Sequence, residues 1–244
     1  MIPGPDQIIA CPKCKGLAKH MTQASGNGFG ARIWTDGRQH APMCPGLPPV
    51  VKCRHCAEIY WLEEAEKIGS IDTYRWRLGV GDQDDDSQVN PDWAAAEKIQ
   101  VPTEEDYYKA LEKDLAENLE QEKKLRILAW WRRNDDDREG LYDDYRDDHP
   151  DDYDVIGRSL AGETPIPLGP LRQNLIALTH LLEDESGNDC LMKAEVLREL
   201  GEFEAARLVL RRINSPNAAV FVSQFLSLCD IEDTCVREVQ IDKC

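Results

Sequence analysis

The sequence predicts an α+β protein, mainly α: a small β module at the N-terminus followed by an α-helical bundle. Three observations predict it. Two C-x-x-C pairs, Cys11-Pro12-Lys13-Cys14 and Cys53-Arg54-His55-Cys56, frame the N-terminal segment. Leucines recur at helical spacing after residue 103. The stretch between is poor in apolar residues and rich in aspartate. The expected division is a β module at 1–68, a linker or loop at 69–102 and an acidic helical domain at 103–244. Within the last, a long helix is expected at 103–133, an acidic loop at 134–160 and a bundle at 165–244.

The β module follows from its punctuation. Gly16 comes two residues after Cys14 and permits a positive φ, which turns backbone N–H groups toward the sulfurs. Ser25-Gly26-Asn27-Gly28-Phe29-Gly30 is Gly-rich but lacks a following Lys-Ser/Thr, so it is not a phosphate loop. Ala31–Thr35 is a strand candidate closed by the turn pair Asp36-Gly37. Pro42, Pro45, Pro48 and Pro49 mark an extended run. Val50-Val51 leads as a strand into the second pair, and Ile59-Tyr60-Trp61 leaves it. Leu62–Ile68 reads as a short helix.

Two residues between cysteines let both sulfurs of one pair reach a single tetrahedral ion, and the second pair supplies the other two. The expected cofactor is therefore a structural Zn2+ held by Cys11, Cys14, Cys53 and Cys56. Four thiolates leave no open position for substrate, which argues against catalysis. The segment resembles the zinc-ribbon class over about 55 residues. That resemblance implies two knuckles, each at the turn of a β-hairpin, clamped on one ion. His20, His40, His55 and Cys44 also lie in the module and are the alternative ligands of a mixed Cys/His site.

The helical part begins at Thr103, which with Asp106 makes a capping box. Leu111, Leu115, Leu119, Leu125 and Leu128 set a helix running to about Arg133. Trp130 and Trp131 near its end are expected to dock onto the later helices. Pro165, Pro167 and Pro170 precede an amphipathic run from Leu171 to Leu182. Ala194, Leu197, Gly201, Phe203, Ala206 and Leu210 resemble one tetratricopeptide-like helix pair, with Gly201 in the turn. A single pair makes no solenoid groove, so it is read as a helical hairpin in a bundle. Asn217–Cys229 supplies the next helix.

Charge bounds the partners. The net charge is −17, with seven Lys/Arg against three Asp/Glu in residues 1–60, 14 against 29 in 61–160 and eight against 14 in 161–244. An acidic body repels nucleic acid and anionic membranes and favours a basic protein. The expected contact strip is Asp135, Asp136, Asp137, Asp143, Asp144, Asp147 and Asp148. Asp82, Asp84 and Asp86 alternate as in a calcium loop, but Ser87 and Trp93 stand where glycine and glutamate are needed. No run approaches the roughly 18 apolar residues of a membrane span. The N-terminus has neither the basic nor the apolar region of a signal peptide, so a reduced cytoplasm is expected. No H-E-x-x-H, G-x-S-x-G or Walker sequence is present.

The expected function is a zinc-stabilised, non-catalytic interaction protein, an adaptor or inhibitor, with an acidic surface for a basic partner. The alternative is a nucleic-acid-associated zinc ribbon acting through Arg32, Trp34, Arg38 and Arg54. The third reading is a zinc enzyme with a mixed Cys/His site.

Overall fold

The computed structural model describes residues 2–72, 90–138, 169–183 and 187–241. The strands are β1 (Ile2–Ala10), β2 (Leu17–Ser25), β3 (Arg32–Ile33), β4 (Gln39–His40), β5 (Val50–Lys52), β6 (Ile59–Trp61), β7 (Glu66–Ile71) and β8 (Glu97–Lys98). The α-helices are α1 (Pro91–Ala95), α2 (Glu104–Glu112), α3 (Leu119–Asn134), α4 (Gly169–Leu181), α5 (Gly187–Glu199), α6 (Phe203–Leu210) and α7 (Ala219–Asp230). The class is α+β, mainly α. Two compact units form. Unit 1 is Met1–Ala31 with Ala41–Asp106, and unit 2 is Arg32–His40 with Tyr107–Cys244.

Unit 1 is built on two hairpins, each turning at a cysteine pair. β1 and β2 are antiparallel, with Ile9 opposite Ala18 and Ala10 opposite Leu17. β5 and β6 are antiparallel, with Val51 opposite Tyr60. Ile9, Val51, Tyr60 and Ala65 form the core together with Cys11 and Cys53. The β-branched residues suit half-buried pleated positions, and their strands deliver the first cysteine of each pair into that core.

Two expectations for unit 1 are corrected. Leu62–Ile68 is not a helix: a single 3-10 turn at Leu62–Glu64 gives way to β7. β7 pairs antiparallel with β1, and satisfying β1's outer row of backbone groups outweighs local helix preference. Nor is 69–102 a linker throughout. The sheet order is β7-β1-β2-β8, so β8 closes the far edge, parallel to β2. Asn90 caps α1 by accepting from the Asp92 N–H at 2.9 Å, and Pro91 starts it. The Trp93 ring lies over Gly69. The Asp82–Asp86 run falls outside the described residues.

The capping box at α2 is present: Thr103 Oγ1 accepts from the Asp106 N–H at 3.2 Å, and Asp106 Oδ2 accepts from the Thr103 N–H at 3.1 Å. The helix expected to run from 103 to 133 is, however, two helices. Asp114 sits at φ 55°, the Leu115 N–H reaches Ala110 O at 3.0 Å and the Asp114 N–H reaches Leu111 O at 3.2 Å. This is a Schellman ending. Asn118 then restarts the chain as the N-cap of α3, accepting from the Gln121 N–H at 3.0 Å, while Gln121 reaches back to the Glu117 N–H at 2.7 Å. Leucine periodicity carried across this break because the caps on either side are polar and leave the apolar spacing intact.

Unit 2 has two apolar cores that share α5. Ile127 and Trp130 of α3 pack with Leu175 and Leu178 of α4 and with Met192 and Val196 of α5. Cys190 and Ala194 of α5 pack with Ala206 and Leu210 of α6 and with Phe225 and Cys229 of α7. Trp130 is fully buried, and Trp131 packs against the first core. α5 and α6 join at Gly201, whose φ is 79°. There the Glu202 N–H bonds Leu197 O at 2.8 Å and the Gly201 N–H bonds Arg198 O at 2.9 Å, a second Schellman ending. Among the described residues no helix is long and apolar enough to cross a membrane.

The hairpin β3–β4 belongs to unit 2, although it comes from the loop between the two cysteine pairs. Its turn is closed by Trp34 N–H to Arg38 O at 2.9 Å. The Asp36 carboxylate is fully buried, paired with Arg138, and accepts from Asn134 Nδ2 at 3.1 Å. Asn134 Nδ2 also donates to Glu199 at 2.9 Å, and Trp130 Nε1 donates to the same carboxyl at 2.8 Å. Thr35 donates to Glu195, which is paired with buried Arg198. Burial pushes Asp36 up to about 6 against the pull of Arg138. Burial and the neighbouring Glu195 push Glu199 well above the usual carboxyl range.

Candidate metal centre

The turns after β1 and β5 have the same backbone. In the first, the Cys11 N–H bonds Gly16 O at 3.0 Å and the Lys15 N–H bonds Cys11 O at 3.0 Å. In the second, the Cys53 N–H bonds Glu58 O at 2.8 Å and the Ala57 N–H bonds Cys53 O at 2.9 Å. The fifth residue of each turn is left-handed: Lys15 at φ 60° and Ala57 at φ 57°. The expectation that Gly16 takes the positive φ is thus corrected; the strained position is one residue earlier. Gly16 is needed for another reason. A Cβ there would run into the His55 ring.

The two turns also clasp each other reciprocally. Lys13, third in its turn, pairs with Glu58, sixth in the other. His55, third in its turn, lies on Gly16, sixth in the other, and its Nε2 is 3.2 Å from Leu17 O. The Lys13–Glu58 pair is exposed and adds little stability. The His55 contact is steric, and it fixes how closely the turns approach.

This arrangement gathers four sulfurs. All lie within 4.8 Å of one another. Cys11 Sγ and Cys56 Sγ are 3.9 Å apart, and Cys14 Sγ and Cys53 Sγ are 3.6 Å apart. A tetrahedron of sulfurs about 2.3 Å from a central ion has an edge of about 3.8 Å. A disulfide would need about 2.05 Å. The spacing therefore fits four ligands around one ion, and no pair is disulfide-bonded. Cys11 and Cys53 are buried at the core side, while Cys14 and Cys56 lie nearer the surface.

The protein prepares the sulfurs unequally. The Gly16 N–H donates to Cys14 Sγ at 3.4 Å and pulls that thiol down to about 7. Burial pushes Cys53 up to about 12. A divalent ion must displace the Cys53 proton, so binding releases protons and weakens in acid.

The other expected ligands do not join this group. Among the described residues, the four cysteines are the one set of three or more ligand atoms close enough for a common ion. His20 is buried in β2, where burial lowers its pKa. His40 lies in the unit 2 hairpin, opposite Arg32. The Cys44 thiol points to Gln23 at 3.5 Å.

Arg32 donates to Glu238 at 2.9 and 2.6 Å and stacks on Trp34. Trp34 is 2% exposed, between Arg32 and Arg138. Arg38 stacks on Trp131, and Arg54 donates to Lys98 O at 3.0 Å and pairs with Glu97 at 3.3 Å. Each is engaged inside its own unit, and three of the four belong to unit 2. Asp135, Asp136 and Asp137 form a 3-10 turn at the end of α3. Asp135 is buried and paired with Arg138 and Arg132, so its carboxylate faces inward. Asp136 pairs with Arg133 at 3.4 Å, and Asp136 and Asp137 are exposed. Asp143, Asp144, Asp147 and Asp148 fall outside the described residues.

Sequence reasoning did not find the buried Asp36–Arg138–Asn134–Glu199 network. Asp36 carried only a turn signal, and its partners lie about a hundred residues or more away. Comparison with protein-family models, with curated proteins and with solved structures finds no match for this chain.

Proposed function

We propose that this chain is a zinc-stabilised, non-catalytic interaction protein of the cytoplasm, whose acidic surface meets a basic protein partner. The observation that carries the metal part is the four-sulfur cluster, with spacings of 3.6 and 3.9 Å that match the edge of a tetrahedral site. Four protein sulfurs fill a tetrahedral shell and leave no position for water or substrate, which supports a structural role. The net charge of −17 supports a basic partner. The internal engagement of Arg32, Trp34, Arg38 and Arg54 weighs against the nucleic-acid alternative.

Metal analysis and cobalt substitution test the site. One zinc per chain is expected, with the four thiols protected from alkylation. The cobalt form is expected to show a tetrahedral thiolate spectrum unchanged by added azide. Iron in place of zinc, or a spectrum that shifts with azide, overturns the reading. The partner class is tested with a lysine-rich probe protein. Binding should weaken as salt rises and should fall when Asp136, Asp137, Asp143, Asp144, Asp147 and Asp148 are changed to Asn. Sub-micromolar binding of DNA or RNA at physiological salt, lost on changing Arg32, Arg38 and Arg54, favours the nucleic-acid alternative instead.

A further inference from the structure

We infer that metal binding at Cys11, Cys14, Cys53 and Cys56 and the seating of the 32–40 hairpin in unit 2 are thermodynamically linked, each strengthening the other. The inference rests on the metal reading above and adds a consequence of chain topology. The hairpin lies in sequence between Cys14 and Cys53, yet it packs as part of unit 2. Its seat is extensive. The Thr35 N–H donates to Arg237 O at 2.8 Å, the Val239 N–H donates to Ile33 O at 2.8 Å, and Trp34 bridges to Glu238. Thr35 Oγ1 accepts from the Arg237 N–H at 3.0 Å and donates to Glu195. Trp131 Nε1 donates to Asp36 O at 2.9 Å, and Arg138 pairs with the Asp36 carboxylate.

The chain therefore leaves unit 1 after Ala31, returns at Ala41 and leaves again after Asp106. When unit 1 is folded around its ion, Ala41 and Asp106 are held in one compact unit. Seating the hairpin then closes no flexible loop. Without the ion, unit 1 loses what its small core cannot supply. Ala41 and Asp106 are then no longer held together, and seating the hairpin must bear the entropy of closing the chain between them. The same closure works in reverse. A seated hairpin holds the ends of its segment and shortens the search that brings the two cysteine pairs together. Linkage makes the two effects equal in binding free energy. The coupling needs no contact between the ligands and unit 2, because the covalent path carries it.

The test uses the full-length chain, reduced throughout, with metal content measured first. Hydrogen exchange is followed at the Trp34, Thr35 and Val239 amides in the zinc-loaded chain and in the chain stripped by a chelator. Exchange is expected to quicken about tenfold on stripping, within the usual range for coupled sites. The reciprocal arm is Thr35→Ala, which removes the hydroxyl that holds Glu195 and the Arg237 N–H. Its zinc affinity, read by competition with a chromophoric chelator, is expected to fall about fivefold or more. Leu208→Ala, at an exposed position on α6, is expected to leave affinity unchanged. One zinc per chain with unchanged exchange at those amides overturns this inference and leaves the metal reading standing. An equal loss of affinity in Leu208→Ala also overturns it. A chain that binds no metal overturns both.

Discussion

Unit 1 gathers Ile9, Val51, Tyr60 and Ala65 around two cysteines, whereas unit 2 packs Trp130, Leu175, Leu178, Val196, Leu210 and Phe225 into two cores that share one helix. The first cluster is small, and two of the four gathered sulfurs, those of Cys11 and Cys53, belong to it. The second is larger and has charged groups buried beside it, Asp36 with Arg138 and Glu195 with Arg198. A small core needs a bond-like staple, while a large one tolerates buried charge if each charge is matched. The contrast also explains why the two units should fail under different insults.

Metal removal should give the largest effect. Stripping the ion, or changing Cys53 to Ser, should unfold unit 1, because apparent free energies for structural zinc run to about 10 kcal/mol or more. The helices of unit 2 should persist. Circular dichroism with hydrogen exchange checks this, and loss of most helix signal would show that the units share one source of stability. Trp130→Ala should reverse the pattern. It empties a fully buried site and takes a donor from Glu199. A loss of about 4 kcal/mol is expected in unit 2, with zinc content unchanged.

Next in size is a pH effect that originates in unit 2. Asp36 is raised from 3.8 to about 6, and Glu199 is raised in the same direction. Raised carboxyl groups favour the folded state below their unfolded pKa values. That contribution is lost as pH rises through the folded ones. For Asp36 the loss is roughly 3 kcal/mol between about pH 4 and 7. The unit 2 melting temperature should therefore fall as pH rises through about 6, even in high salt that screens surface repulsion. A flat profile would mean that Arg138 holds Asp36 ionised throughout.

The smallest effect is expected at the clasp between the two knuckles. Gly16→Ala should drive a methyl into the His55 ring and cost about 1 to 2 kcal/mol of metal-bound stability. His55→Ala on the same chain should restore most of it. Failure of that rescue would place the Gly16 requirement in the backbone instead of in the approach of the two turns.

Local structure is legible in the sequence where one short stretch contains the whole cause. The C-x-x-C spacing brings two sulfurs together within a single turn, so the four-sulfur group is legible. The Thr103–Asp106 box and the Gly201 turn were legible for the same reason, since their donors and acceptors lie within a few residues. The break at Asp114 was written in the Asn118–Gln121 cap but was masked by leucine spacing that ran straight through it. β7 and β8 were not legible, because a strand of two to six residues is chosen by the open edge beside it and not by its own composition.

By itself, then, the sequence determined the mainly α class, the four metal-competent cysteines and the acid charge of the body, all of them properties of local spacing or of counting. Only the tertiary structure decided that Arg32, Trp34, Arg38 and Arg54 are spent on internal partners. It alone decided that Asp36 meets Arg138, and that a hairpin lying between two cysteine pairs belongs to the helical unit. The physical reason is that a charge or an aromatic ring carries no address in the chain. Its partner is whichever group the packing of distant elements brings within reach, and desolvation makes that match obligatory once the site is buried.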